Sequence, residues 1–412
     1  MDKKRKTLLI QISLFIATLL TTTLVGTEWS LGKFVVLGMS WSDFTFGFNF
    51  SIPFLGILTV HEFGHYFTAK YHQIKVSLPY YIPMWLGFIG GPSIGTMGAF
   101  IRIREPILSR VKYFDVGVSG PIAGFVVAIC VLWYGFSSLP ETEFIYEVHP
   151  EYEIFGEDFE AKLQGLDTLI LKKDLNPLRM AYTRLPDTVR TNTRVYFGDN
   201  ILMNLGRRYL APSDRYVPSS AEIMHYPWLL AAYLAFFFTA LNLLPLGQLD
   251  GGHILFGLVG AKYHAIVSRI LFTAFLFYAG LGWLTIDDLS ETSVEVIAGL
   301  EVSPITEFLM LLLGYLYVLY LCAFSLFREK QTRLLYATVL LTAQFFVGSF
   351  FQVEGYIGWV VFSLLIGRII GIDHPPVIDN QPLSTGRKVL GWLALIIFIL
   401  CFSPQPLVVE GL

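Results

Sequence analysis

The feature that most constrains this chain is a succession of apolar runs. Each is close to the roughly 20 residues a helix needs to cross the hydrocarbon of a bilayer. They fall at about 7–26, 47–70, 115–136, 228–247, 266–284, 305–327, 332–350, 355–372 and 388–403. Clusters of Pro, Gly and charge separate them, as at 102–112, 328–333 and 374–387. Composition agrees: 54% of the 412 residues are hydrophobic and 15% are charged, against about 25% charged in an ordinary soluble domain. Too little charge remains to cover a water-facing surface. The expected class is an all-α polytopic membrane protein.

The formal net charge of −3 leaves no basic surplus, and nothing points to nucleic acid. Cys130, Cys322 and Cys401 each lie in an apolar run with no CxxC pair, so they read as small buried hydrophobes rather than disulfide or zinc cysteines. The first run follows MDKKRK. Its length suits a retained transmembrane helix better than a signal peptide. Lys3, Lys4, Arg5 and Lys6 put the N-terminus in the cytoplasm by the positive-inside rule. Counting spans from there makes the loop with Lys70, Lys75, Arg102, Arg104, Arg110 and Lys112 cytoplasmic as well, as the rule requires.

Two stretches depart from the helical pattern. Residues 78–103 are apolar but rich in Gly and Pro (GFIGGPSIGTMGAF). Irregular chain at membrane depth must be covered by protein or line a cavity, so a re-entrant loop or hairpin is expected there. Residues 137–227 form the only long polar tract, acid-rich at its start, and read as an extramembrane insertion. Within it, 197–211 (FGDNILMNLGRRYLA) is expected to be an amphipathic, interfacial helix.

The second apolar run ends in TVHEFGHYF. His61 and His65 are four apart, so a helix places both imidazoles on one side. That spacing suits two ligands of one Zn²⁺, with Glu62 beside the first as general base. Ionisable groups inside an apolar span are costly, which raises their value as a site. A catalytic zinc needs a third protein ligand and an open position. Asp250 is the first acid after the fourth apolar stretch, in NLLPLGQLDGGH, and topology brings its end of the chain to the same face as HEFGH. Pro245 and Gly247 should unwind the chain above it. Asn242 could contact substrate backbone or an oxyanion; an interhelical hydrogen bond is its plainer reading. For His253, an interfacial position is the plainer reading and support of the ligands the sharper one.

These motifs together resemble the site-2 proteases, a family of intramembrane zinc metalloproteases. HEFGH at 61–65, SGPIAG at 119–124 and NLLPLGQLDGG at 242–252 carry the resemblance, which covers about residues 50–255. VSLPYYIP at 76–83 is similar to the subgroup of plant chloroplast members and their bacterial relatives. The resemblance implies metal ligands His61, His65 and Asp250 for one zinc per chain, catalytic Glu62 and substrate-contacting Asn242. It implies that 78–103 is a membrane-associated β-loop receiving an unwound strand of a transmembrane substrate. The division expected is an N-terminal helix (1–46), a first catalytic half (47–136), the insertion (137–227), a second half (228–260) and additional helices (261–412). The setting expected is a bacterial inner membrane, with lipid and transmembrane proteins as partners. A transporter or channel with a structural metal is the rival of another class.

Overall fold

The computed structural model describes residues 3–410 other than 34, 36, 37, 88–92, 151, 154–193, 287, 289–294 and 298–299. The interior of the expected insertion and part of the Gly-rich segment therefore lie outside the described residues. The chain opens with α1 (Lys3–Leu31), α2 (Trp41–Phe46) and α3 (Phe48–Tyr71). Strands β1 (Tyr80–Pro83) and β2 (Thr96–Phe100) follow, then α4 (Arg110–Ser137) and α5 (Phe144–Val148). After β3 (Arg194–Tyr196) and α6 (Ile201–Tyr209) come α7 (Pro227–Leu243) and α8 (Asp250–Ala279). Strands β4 (Glu295–Ile297) and β5 (Leu300–Val302) precede α9 (Pro304–Cys322), α10 (Lys330–Phe351), α11 (Gly358–Leu365) and α12 (Thr385–Cys401), and β6 (Val408–Glu410) ends the described chain.

Among the described residues, six helical segments are long and apolar enough to cross a membrane: α1, α2 with α3, α4, α8, α9 and α10. The protein is thus mostly helical and polytopic. Large apolar side chains lie exposed along the outer helices, among them Leu9 and Ile16 of α1, Leu335 and Val339 of α10 and Ile396 of α12. In water such a surface would drive association; against acyl chains it costs nothing. At the centre stands α7, whose residues from Leu229 to Phe236 are all buried, as expected of a helix apolar on every side.

The run expected at 228–247 stops earlier. Leu244 leaves the helical region with φ −54° and ψ 120°, because Pro245 disfavours helical backbone in the residue before it. Gly247 then takes φ +55°, a turn that costs glycine little. The run expected at 266–284 starts earlier, at Asp250, and the helix is broken at Gly260, φ +80°. Arg110 donates from Nε and Nη2 to the Gly257 carbonyl at 3.1 and 2.8 Å, which satisfies an acceptor the break leaves without its helical partner.

The irregular 78–103 segment forms an antiparallel hairpin, with Tyr80 opposite Phe100 and Tyr81 opposite Ala99. Helix α1 docks on it through polar groups: Gln11 donates to the Leu78 carbonyl at 2.7 Å and Thr21 to Gly95 at 2.7 Å. The amphipathic stretch is helical as α6, capped by Asn200, whose side chain accepts from Met203 N–H; Leu202 and Met203 are buried.

The C-terminal helices are not an appendage. Asp115 of α4 accepts two hydrogen bonds from Arg387 of α12, at 2.7 and 2.8 Å. Tyr233 at the bundle centre donates to the Pro406 carbonyl at 2.6 Å, and β6 pairs with β3. The last described residues thereby join β3 to α7.

Candidate metal centre

The helical spacing of HEFGH does what periodicity demands. His61 and His65 lie one turn apart on α3, their rings 4.8 Å apart at 74° and their Nε2 atoms 3.0 Å apart. Asp250 meets them from a different element. Its Oδ2 is 3.6 Å from His61 Nε2 and 3.2 Å from His65 Nε2. Asp250 does not close a span, as its place in the sequence suggested; it is the first residue of α8, with Leu249 as N-cap. A helix start suits a carboxylate, because the unpaired N–H groups there favour negative charge. The unwound 244–249 chain returns that start toward α3.

The trio fits a zinc ion. Donors about 2.0–2.1 Å from one tetrahedral ion stand about 3.3 Å from each other, and the three separations of 3.0, 3.2 and 3.6 Å bracket that edge. The donor set, two imidazoles and a carboxylate, is the borderline nitrogen–oxygen chemistry zinc takes. His65 Nδ1 lies 2.7 Å from the Val116 carbonyl. Its N–H donates there, which leaves Nε2 unprotonated toward the cluster and fixes the ring. Three protein donors leave a tetrahedral ion one position for a reactant.

Glu62 is buried beside the trio. The Ile101 backbone N–H lies near it, and the charges of His65 and Asp250 act on it. Ile101 directly follows β2, so the hairpin ends at the acid. Asn242, in the last turn of α7, puts Nδ2 3.5 Å from His61 Nε2. All five residues singled out from the sequence therefore meet in one place. His253 stands a turn beyond Asp250. Its Nδ1 is 2.9 Å from His374 Nε2 and its ring lies 4.8 Å from that of Tyr113, so it packs against protein rather than facing an interface.

What the sequence reading passed over is the part α4 plays. Gly117, Gly120 and Gly124 share one face of that helix. A Cβ on Gly117 would come within 2.9 Å of His253 Cβ, one on Gly120 would collide with the His65 imidazole, and one on Gly124 would meet His61 Cβ at 3.0 Å. From α3, a Cβ on Gly64 would meet the Ser119 carbonyl at 2.7 Å. The glycine face is the seat on which both halves of the centre rest. A spacing of 3 and 4 among small residues was the available signal.

This yields a test. Gly120→Ala should cost about 1–3 kcal/mol through overpacking, concentrated on His65, and lower zinc affinity by about tenfold or more. Gly56→Ala on the same α3, where a Cβ meets nothing within 4 Å, is the control. Competition with a chelator measures both; equal affinities would refute the seat.

The sequence profile of peptidase family M50 matches residues 49–282, which include every residue of the centre. The probable zinc metalloprotease EGY2, chloroplastic, of Oryza sativa subsp. indica is 26% identical over 214 residues, 52% of this chain and 30% of its own. The Arabidopsis thaliana protein of the same name is 26% identical over 206 residues, 50% of this chain and 28% of its own. The probable zinc metalloprotease EGY1, chloroplastic, of Arabidopsis thaliana is 23% identical over 206 residues, again 50% and 28%. The chain thus spans less than a third of the length of these relatives. No solved structure gives a significant match.

Proposed function

This chain belongs to peptidase family M50, and from that premise we propose that it is an intramembrane zinc endopeptidase cutting peptide bonds within transmembrane segments of other proteins. The observation that carries the reading is the triangle of His61, His65 and Asp250, with Glu62 buried alongside. The metal-bearing core on this reading is α3, α4, the hairpin and α7 with the start of α8. The remaining helices shield it from lipid. Neither the family match nor the site favours a transporter.

His61, His65 and Asp250 would hold one zinc ion per chain. Zinc bound there supplies Lewis acidity, which lowers the pKa of water toward about 7 and polarises a carbonyl. Glu62 is the proton carrier: it takes the proton of the attacking water and gives it to the leaving amide nitrogen. The Ile101 N–H nearby favours the charged carboxylate of Glu62. Asn242 offers an N–H to the substrate backbone or to the negative oxygen that develops at the scissile carbonyl.

A transmembrane substrate arrives as a helix with its peptide groups paired internally, so it must unwind before attack. Strand addition to the hairpin would keep the exposed backbone paired. Because β2 leads to Ile101 and so to Glu62, a strand laid along it would pass the acid. A cleft of about 890 Å³ between the start of α1 and the hairpin, lined by Gln11, Tyr66 and Arg102 among others, leaves room for such a segment.

Charge supports the orientation proposed. Lys4, Arg5 and Lys6 begin α1, Lys70 ends α3, and Arg110 and Lys112 begin α4, all at one end of the bundle. By the positive-inside rule that end would be cytoplasmic, with the centre toward it, and a bacterial inner membrane is the setting we propose.

The deciding experiment uses the full chain in liposomes with a protein of one transmembrane segment. Cleavage should map within the segment, stop on chelation and return with Zn²⁺. Cuts confined to extramembrane sequence, or cleavage indifferent to chelation, would overturn the reading.

A further inference from the structure

We propose that His149, Glu222 and His225 form a second metal site, for a divalent ion of the zinc class, at the other end of the bundle from the His61 centre. His149 caps the C-terminus of α5. Glu222 and His225 lie on the 3₁₀ turn that leads into α7. The two ends of α7 separate the sites: His225 lies just before its first residue and Asn242 in its last turn, about 25 Å apart at 1.5 Å per residue. This proposal does not rest on the protease reading.

Three observations carry it. The first is convergence. His149 Nε2 is 3.0 Å from His225 Nε2 and 3.6 Å from Glu222 Oε2, and His225 Nε2 is 3.7 Å from the same oxygen. A chain of hydrogen bonds needs two close pairs among three groups and leaves its ends apart. Here all three pairs are close, as they are around one ion. The triangle is nearly that of His61, His65 and Asp250, and its edges scatter around the same value of about 3.3 Å.

The second is orientation. His225 Nδ1 lies 2.9 Å from the Ser30 carbonyl at the end of α1. Its N–H donates there, so Nε2 presents a lone pair to the cluster, as the Val116 carbonyl arranges for His65. Glu222 Oε1 accepts from the Tyr152 hydroxyl at 3.0 Å, which aims Oε2 at the histidines. The Tyr152 ring stacks on that of His149 at 4.5 Å and 19°. Ser30 thus sets His225, and Tyr152 sets both Glu222 and His149, the kind of outer support that metal ligands receive.

The third is environment. Glu222 and His225 are 5% and 7% exposed, and the His149 side chain is 25% exposed. The buried pair lies deepest, and His149 is the most exposed of the three. Two imidazoles and one carboxylate select zinc over calcium or magnesium, which take oxygen ligands. His149 and His225 are 76 residues apart, so an ion here closes the whole 149–225 stretch. It joins both ends of that stretch to α1 through Ser30. Its role is a clip that ties the end of α5 to the turn before α7.

The test is a metal count on the full chain in detergent, stripped and re-equilibrated in a zinc buffer. His149→Gln should lower bound zinc by one per chain, whatever the His61 centre holds. An unchanged count means a hydrogen-bonded trio without a metal and overturns the proposal. Should His149→Gln protein aggregate, cobalt decides. The His61→Gln/His65→Gln chain should bind one Co²⁺ with the visible absorption of a four-coordinate ion, and absence of that band overturns the site.

Discussion

Glu62→Gln should leave the zinc content unchanged and lower peptide-bond cleavage by about 10²–10⁴-fold. The substitution is nearly isosteric and keeps an oxygen beside the Ile101 N–H. None of the three metal donors is altered. What disappears is a group able to take a proton from water and return it to the amine, and such transfers contribute about 10²–10⁴ in rate. Zinc titration together with cleavage of a transmembrane substrate in liposomes measures both halves. Full cleavage by the purified variant would remove Glu62 from the chemistry. Loss of zinc along with activity would make it part of the metal's support instead.

The second large effect is expected at Asp250. Asp250→Ala leaves two imidazoles 3.0 Å apart and removes the charge that balances the ion. Losing a neighbour that only orients a ligand costs about 10–100-fold in metal affinity, so losing the ligand itself should exceed about 100-fold. Cleavage should fall with zinc occupancy. The helix offers a rival explanation, because Asp250 also begins α8. A carboxylate in the first turn contributes only about 0.3–1 kcal/mol to a helix, less than a tenfold effect. Asp250→Asn keeps a polar side chain at the helix start and should lose zinc just as Asp250→Ala does. Zinc bound by both variants with unaltered affinity would exclude Asp250 as a ligand.

Much of the centre was legible in the sequence, and each legible part followed a local rule. His61 and His65 share a side because helical periodicity sets it. Asp250 could be placed at their end by counting spans from the basic N-terminus. The Gly- and Pro-rich 78–103 stretch could not be a regular helix, and it is a hairpin. Other features were not legible because they depend on partners far away in sequence. The boundary between α7 and α8 fell several residues from where hydropathy put it, since hydropathy is blind to the restraint Pro245 places on Leu244. The glycine face of α4 looked like a motif without a purpose until the rings of His61 and His65 were seen against it. Arg387, in the last long helix, gave no sign that it would pair with Asp115.

By itself, then, the sequence determined that this is a membrane chain, that HEFGH sets two imidazoles on one side of a helix with an acid beside them, and that one distant acid could join them. Solvent transfer and backbone sterics act residue by residue, so they can be read along the chain. Only the tertiary structure decided that Asp250 Oδ2 stands 3.2 Å from His65 Nε2. That distance depends on how closely α4 lets α3 and the start of α8 approach, and packing of this kind is a property of three helices at once. The same holds at the far end of α7, where His149 and His225 come together across 76 residues.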